Sequence, residues 1–317
     1  MTTFTWPAYP ANAAEFEELM RAIDKALAQD GLKPFQRPMH VGRKLWEAFG
    51  WGGQVFPPEA LADQPGFAGD VLMAKANRWY DVIYGEKLKS DWAFGFAPFR
   101  LSNSVWRVRA GVMYGQVRLF IDRSLGNGGV QLGARGVEAS VNTLREVEGI
   151  TQGLANQLSD RELSEFFHFF IFVHESLQWR ESLPHTELLD MARHDYDQST
   201  SDVLAHRFGQ ARWAAQQAVE KTLKGLLTIA GTAFPTGGPN GHNLRHIAQI
   251  LKDRHGIELA NVLLDAATCS PKVRYGEEVS SEDQALAANH AVLGVLEQLR
   301  RSPKTASILA MHRGDGK

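Results

Sequence analysis

The sequence predicts an α+β chain: a mixed N-terminal region with a small antiparallel sheet, followed by an all-α helical bundle. Three observations predict it. Apolar residues recur at helical spacing near both ends of the chain. The period drops to two between residues 104 and 122. After residue 201, four helical segments joined by short loops must bury their apolar stripes against one another. A chain of 317 residues suffices for about two domains. The expected division is a mixed region over 1–200, a bundle over 201–303 and a tail over 304–317.

Asn12 caps the first predicted helix, whose face carries Phe16, Leu19, Met20, Ile23 and Leu27 and which stops at Gly31. Residues 33–65 read as irregular structure around a short helix, Lys44 to Phe49, and a second helix spans Gly69 to Tyr84. Trp106, Val108, Ala110 and Val112 then alternate with Val105, Arg107, Arg109 and Gly111. Val117, Leu119 and Ile121 alternate in the same way beyond Tyr114-Gly115, which predicts an antiparallel hairpin. Residues 98–101 are the expected third strand, 126–136 a Gly-rich loop, and helices resume near Glu138. Ser159-Asp160-Arg161-Glu162 has capping-box spacing and opens an aromatic helix over 160–180. Beyond Pro184 a short helix covers 186–194, and polar Asp195 to Ser201 form the expected boundary.

The bundle opens with one long helix, Asp202 to Ala230, ended by Gly231. The linker Phe234 to Gly241 holds Pro235 and Pro239 and cannot stay helical. Helices follow over 242–255 and 259–269, and Ser281-Glu282-Asp283-Gln284 caps the last, which runs through Arg301.

Composition is that of an ordinary globular chain: 44% hydrophobic, 22% charged, net charge -2. A single cysteine, Cys269, allows no intrachain disulfide and fits a reducing cytoplasm. The N-terminus lacks the basic and apolar regions of a signal peptide, and no apolar run is long enough to span a bilayer. No cofactor or metal is expected. Gly126 to Gln131 lacks the third glycine of a dinucleotide fingerprint, and His174-Glu175-Ser176-Leu177-Gln178 has Gln where a zinc-binding helix needs its second His.

Three landmarks in the bundle then stand out. Ala214-Ala215-Gln216-Gln217-Ala218-Val219-Glu220-Lys221-Thr222-Leu223-Lys224 resembles the first-helix signature of HEPN domains. His242-Asn243-Leu244 resembles the start of their second helix, and Arg274-Tyr275 resembles the Arg-Tyr before their last helix. The resemblance covers about a third of the chain. It implies an association with nucleotides or RNA. Many such domains are dimeric ribonucleases of toxin–antitoxin and phage-defence systems, acting through an Arg and a His with four to six residues between them. Others pair with a nucleotidyltransferase, and some bind nucleotides without cleavage. The partners it implies are therefore RNA or a nucleotide, a second copy of the chain, and an antitoxin or a nucleotidyltransferase.

The bundle itself has no Arg–His pair at that spacing; Arg161–His168 and Arg180–His185 lie before it, and roughly two such pairs are expected by chance. A metal-independent ribonuclease needs a base for the ribose hydroxyl and a cation for the phosphate. His242, Arg245 and Arg274 are the catalytic candidates. The residues expected to bind a nucleotide or RNA are Lys221, Lys224, His242, Arg274 and Tyr275, with Arg107, Arg109 and Arg118 on the sheet. Residues 201–302 hold 11 Lys+Arg against 10 Asp+Glu, whereas residues 75–123 hold nine against four, interleaved with aromatics. The sheet face therefore reads either as a phosphate-binding surface or as a solvated face whose arginines pair with acids elsewhere.

Overall fold

A computed structural model describes residues 4–51, 53–88, 92–113, 116–126, 139–238, 240–274 and 276–314. The contacts divide the chain into two compact units, 1–91 and 92–317.

The first unit is helical. Helix α1 (Ala13–Gln29) begins where Asn12 accepts hydrogen bonds from the Ala14 and Glu15 backbone N–H groups. Helix α2 (Arg37–Phe49) starts seven residues earlier than the sequence predicts, because Pro38 sits in its first turn, where no intrahelical N–H is missed. Helix α3 (Gly69–Tyr84) matches the expected span. Leu19, Met20, Ile23, Leu45, Leu72 and Tyr80 form the shared core.

The second unit opens with strands β1 (Ala93–Leu101) and β2 (Ser104–Gly111), an antiparallel pair that turns at Ser102-Asn103. This corrects the expected hairpin. The strand predicted as third in the sheet is the partner of β2, and β3 (Val117–Phe120) pairs in parallel with β4 (Ala139–Asn142) instead. Residues 139–142, expected as helix, are thus a strand; Tyr114, Gly115 and most of the Gly-rich stretch, with Glu138, lie outside the described residues.

Helix α4 (Gln152–Gln157) is short. Helix α5 (Asp160–Ser182) carries the predicted capping box. Helix α6 (Glu187–Leu204) runs straight through 195–201, so the expected polar boundary falls inside a helix. Its inward side there is Tyr196, Ser199, Thr200 and Val203, and the Asn289 amide donates to both buried hydroxyls. Helix α7 (Phe208–Ile229) is separated from α6 by a bend in which His206 takes φ 57, so the expected single helix from Asp202 is two.

Helix α8 (Leu244–His255) is capped by Asn243 and ends at Gly256, whose φ of 66 suits a residue without a Cβ. Helices α9 (Asn261–Ala267) and α10 (Pro271–Arg274) are short, and α11 (Glu282–Arg301) has its predicted capping box at Ser281. The expected tail forms helix α12 (Pro303–Gly314), with Thr305, Ile308 and Leu309 buried. The core joins Val219, Leu223 and Leu227 of α7 to Ile247 and Leu251 of α8 and to Val292 and Leu296 of α11. Two histidines fasten the hairpin to it: His174 of α5 donates from Nε2 to the Gly111 carbonyl (3.1 Å), and His290 of α11 donates to that of Pro98 (2.7 Å). Burial pushes the pKa of both imidazoles down.

Candidate functional site

Helix α7 sets the site. Residues three and four apart share a helix face, so Gln216, Glu220 and Lys224 make one stripe and Trp213, Gln217 and Lys221 the next. The first stripe is buried. Lys224 Nζ donates to Glu220 Oε1 and to the Gly241 carbonyl, both at 2.7 Å. The Gln216 amide accepts from the Cys269 N–H (2.5 Å) and donates to the His242 carbonyl (3.4 Å). The stripe therefore pins the segment entering α8 and the segment leaving α9.

His242 stands at the end of that segment. Its Nδ1 lies 3.0 and 3.1 Å from the two Glu220 oxygens. A carboxylate only accepts, so Nδ1 carries the proton and Nε2 is left as the second ring nitrogen. The His242 side chain is 59% exposed while that of Glu220 is 5% exposed. Arg245, three residues on, is held by Asp265 of α9 through two bonds of 2.7 and 2.6 Å. Those bonds raise the Arg245 pKa and lower that of Asp265. A guanidinium has five N–H donors, so three of Arg245 remain for another acceptor. His242, Arg245, Asp265, Trp213, Gln216 and Cys269 line one cleft of about 380 Å³ at the N-terminus of α8. Burial pushes the Cys269 thiol up, away from the thiolate.

A neighbouring cleft of about 460 Å³ lies between α6 and α7 and is lined by the second stripe with Asp195, Gln198 and Asp202. Trp213 belongs to both clefts. Lys221 Nζ is bonded to Asp195 at 2.5 Å, so the two lysines expected to share a role face different surroundings. Glu220 is buried, and its signal in the sequence is its place between Gln216 and Lys224 on one face of the helix. The backbone of Arg274 ends α10, and Tyr275 lies outside the described residues.

The sheet arginines do not share one face. Arg107 and Arg109 lie on β2 and Arg118 on β3, in separate sheets. Val147 bridges Val108 in antiparallel sense, which sets Glu148 against Arg107 (3.2 Å) and Glu146 against Arg109 (3.3 Å). Arg107 also lies 3.5 Å over the Phe96 ring. Burial raises the Glu146 pKa against the pull of Arg109. Arg118 is exposed and makes no ion pair among the described residues.

Neither Arg–His spacing brings its two side chains together. Arg161 pairs with Glu165 while His168 bonds the Ser164 carbonyl. Arg180 is buried and bonded to Glu181, Asp197 and the Phe94 carbonyl, whereas His185 is 78% exposed and bonded to Asp190 beyond Pro184. A further cleft of about 360 Å³ has Arg180 and Arg193 in its lining, with Asp197 and Glu181 already on Arg180. Among the described residues, no group of three His, Cys, Asp or Glu is placed to hold a metal ion, and no helix is long and apolar enough to cross a membrane.

Residues 185–302 match the family model of the HEPN domain. The chain carries a HEPN domain in its C-terminal third. The match starts earlier than the sequence landmarks placed it and takes in all of α6, so the HEPN domain opens with the α6–α7 helical hairpin. Both clefts at Trp213 lie within the HEPN domain, whereas the β1–β2 hairpin lies outside it. No curated protein and no solved structure matches the chain.

Proposed function

We propose that the protein binds RNA or a nucleotide through its HEPN domain, with the phosphate at the cleft where α8 begins. One observation carries the reading: His242 and Arg245 line the same cleft beside Trp213, at a helix terminus whose free N–H groups favour an anion. A HEPN domain points to a nucleotide- or RNA-related role, often within defence or toxin systems. The lone cysteine fits action in the cytoplasm. The test is fluorescence anisotropy of labelled single-stranded RNA, with nucleotide competition, in EDTA. Arg245→Glu sets a carboxylate beside Asp265, and RNA affinity is expected to drop ten-fold or more without a change in melting temperature. Undetectable binding of both ligand types, or unchanged affinity in Arg245→Glu, overturns the proposal.

The His242–Glu220 pair favours a second reading, a metal-independent ribonuclease. Glu220 would fix the ring and His242 Nε2 would take the ribose hydroxyl proton. Cleavage in EDTA that disappears in His242→Ala distinguishes it; binding with intact RNA leaves the binding reading alone.

A further inference from the structure

The cleft of about 360 Å³ lined by β1, Arg107 of β2, the end of α5 and α6 has no part in phosphate binding at α8. Its most buried charge is Arg180, whose side chain is 6% exposed and bonds Glu181 Oε1 (2.9 Å), Asp197 Oδ1 (2.8 Å) and the Phe94 carbonyl (2.8 Å). Gly95 permits that packing, since a Cβ there would stand 3.0 Å from Arg180 Nη2. One buried cation thus fixes two carboxylates in advance, so a ligand has less ordering to impose. Each carboxylate keeps an open oxygen. Among the described residues Asp197 Oδ2 and Glu181 Oε2 accept no hydrogen bond, and the two side chains are 55% and 35% exposed. Arg107 brings the opposite charge to the same cleft. Its guanidinium lies 3.5 Å over the Phe96 ring and donates once, to Glu148 (3.2 Å), which leaves most of its N–H groups for another acceptor.

The charges nearly balance. Arg107, Arg180 and Arg193 face Glu181 and Asp197, with Glu148 on Arg107 and Asp190 on Arg193. A phosphate would meet two fixed carboxylates, and a simple cation would meet Arg107 and Arg193. A ligand with one charge of each sign meets neither penalty. We propose that this cleft binds a free α-amino acid, with its ammonium on the open oxygens of Asp197 and Glu181 and its carboxylate on Arg107. The cleft lies at the small end of the range for small-molecule sites, which suits a ligand of this size. Asp197 belongs to α6 within the HEPN domain and Arg107 to β2 outside it, so the bound amino acid ties the hairpin to the domain.

The experiment is calorimetric titration of the full chain with the standard L-amino acids, one at a time. The tightest is then compared with its two halves, the amine that lacks the carboxylate and the acid that lacks the ammonium. At least one amino acid is expected to bind with a Kd below about 1 mM, and each half to bind at least about ten-fold more weakly. In Arg107→Gln the advantage over the amine is expected to vanish. In Asp197→Asn, which keeps an oxygen for Arg180, the advantage over the acid is expected to shrink about three-fold or more, because Glu181 remains. Inorganic phosphate is expected not to compete, and His242→Ala is expected to leave the amino-acid affinity unchanged. No binding of any amino acid by the unaltered protein, a half that binds as tightly as the whole, survival of the advantage over the amine in Arg107→Gln, or displacement by phosphate overturns the proposal. The first two need no variant to fold.

Discussion

Replacing Glu220 tests the network beneath the site. The side chains of Glu220 and Lys224 are 5% and 8% exposed, and their charged atoms lie 2.7 Å apart. In Glu220→Ala the ammonium keeps the Gly241 carbonyl and lies 5.7 Å from the Phe234 ring centre, but it loses its counter-charge. Leaving one member of a buried ion pair unmatched costs about 3–5 kcal/mol. For a unit spanning residues 92–317, about 2–4 °C of melting temperature per kcal/mol turns that into a fall of roughly 6–20 °C. Lys224→Met is expected to be milder, because Glu220 keeps the His242 bond and His242 opens to solvent. The double variant Glu220→Ala/Lys224→Met removes both charges and is expected to cost about 2 kcal/mol less than the two single changes added together. Scanning calorimetry with urea titration supplies all of these values. A loss below about 1 kcal/mol in Glu220→Ala, or strict additivity in the double variant, refutes the reasoning from a buried pair.

Stability is expected to fall below neutral pH. His174 and His290 have lowered pKa values in the folded chain, so below the ordinary imidazole value of about 6.5 the unfolded chain binds more protons. Their contribution is complete above that pH and is lost at up to about 1.4 kcal/mol per pH unit for each histidine as pH drops. Urea midpoints between pH 7.5 and 5.5 measure the slope, which should be shallower in His290→Gln; equal slopes would remove His290 from the account. At Gly225 a Cβ would stand 2.7 Å from Leu189 Cδ2 and 2.8 Å from its Cγ, across the α6–α7 contact. Gly225→Ala is expected to cost about 1–3 kcal/mol. Adding Leu189→Ala should cost less than it does in the unaltered chain; a full additive penalty would exclude the steric explanation.

Helices with chemical end signals were legible in the sequence. Asn12 at α1, Ser159 with Glu162 at α5, Gly256 after α8 and Ser281 with Gln284 at α11 all act locally, within a turn of the residue that does the work. Partner choice was not legible. The alternation of β2 suits a strand on either side, and its true turn, Ser102-Asn103, has no glycine, whereas Tyr114-Gly115 does. The partner of β3 is parallel and lies 22 residues further along at Val117↔Ala139, beyond the reach of any hairpin rule. The bend between α6 and α7 was hidden because His206 takes the conformation that a glycine would have advertised. At the site, the spacing of His242 and Arg245 marked one helix start, but their carboxylate partners Glu220 and Asp265 come from two other helices. The acids opposite Arg107 and Arg109 are 41 and 37 residues away, so the charge count over 75–123 could not include them.

The bond from His290 to the Pro98 carbonyl joins residues 192 apart. On a ribosome adding about 5–20 residues per second, the β1–β2 ribbon emerges roughly 10–40 s before the helix that covers it. During that interval Ala97 and Ala110, both fully buried in the finished unit, have no α11 beside them. Biogenesis thus has a waiting period set by chain connectivity, and it ends only when α11 has been made.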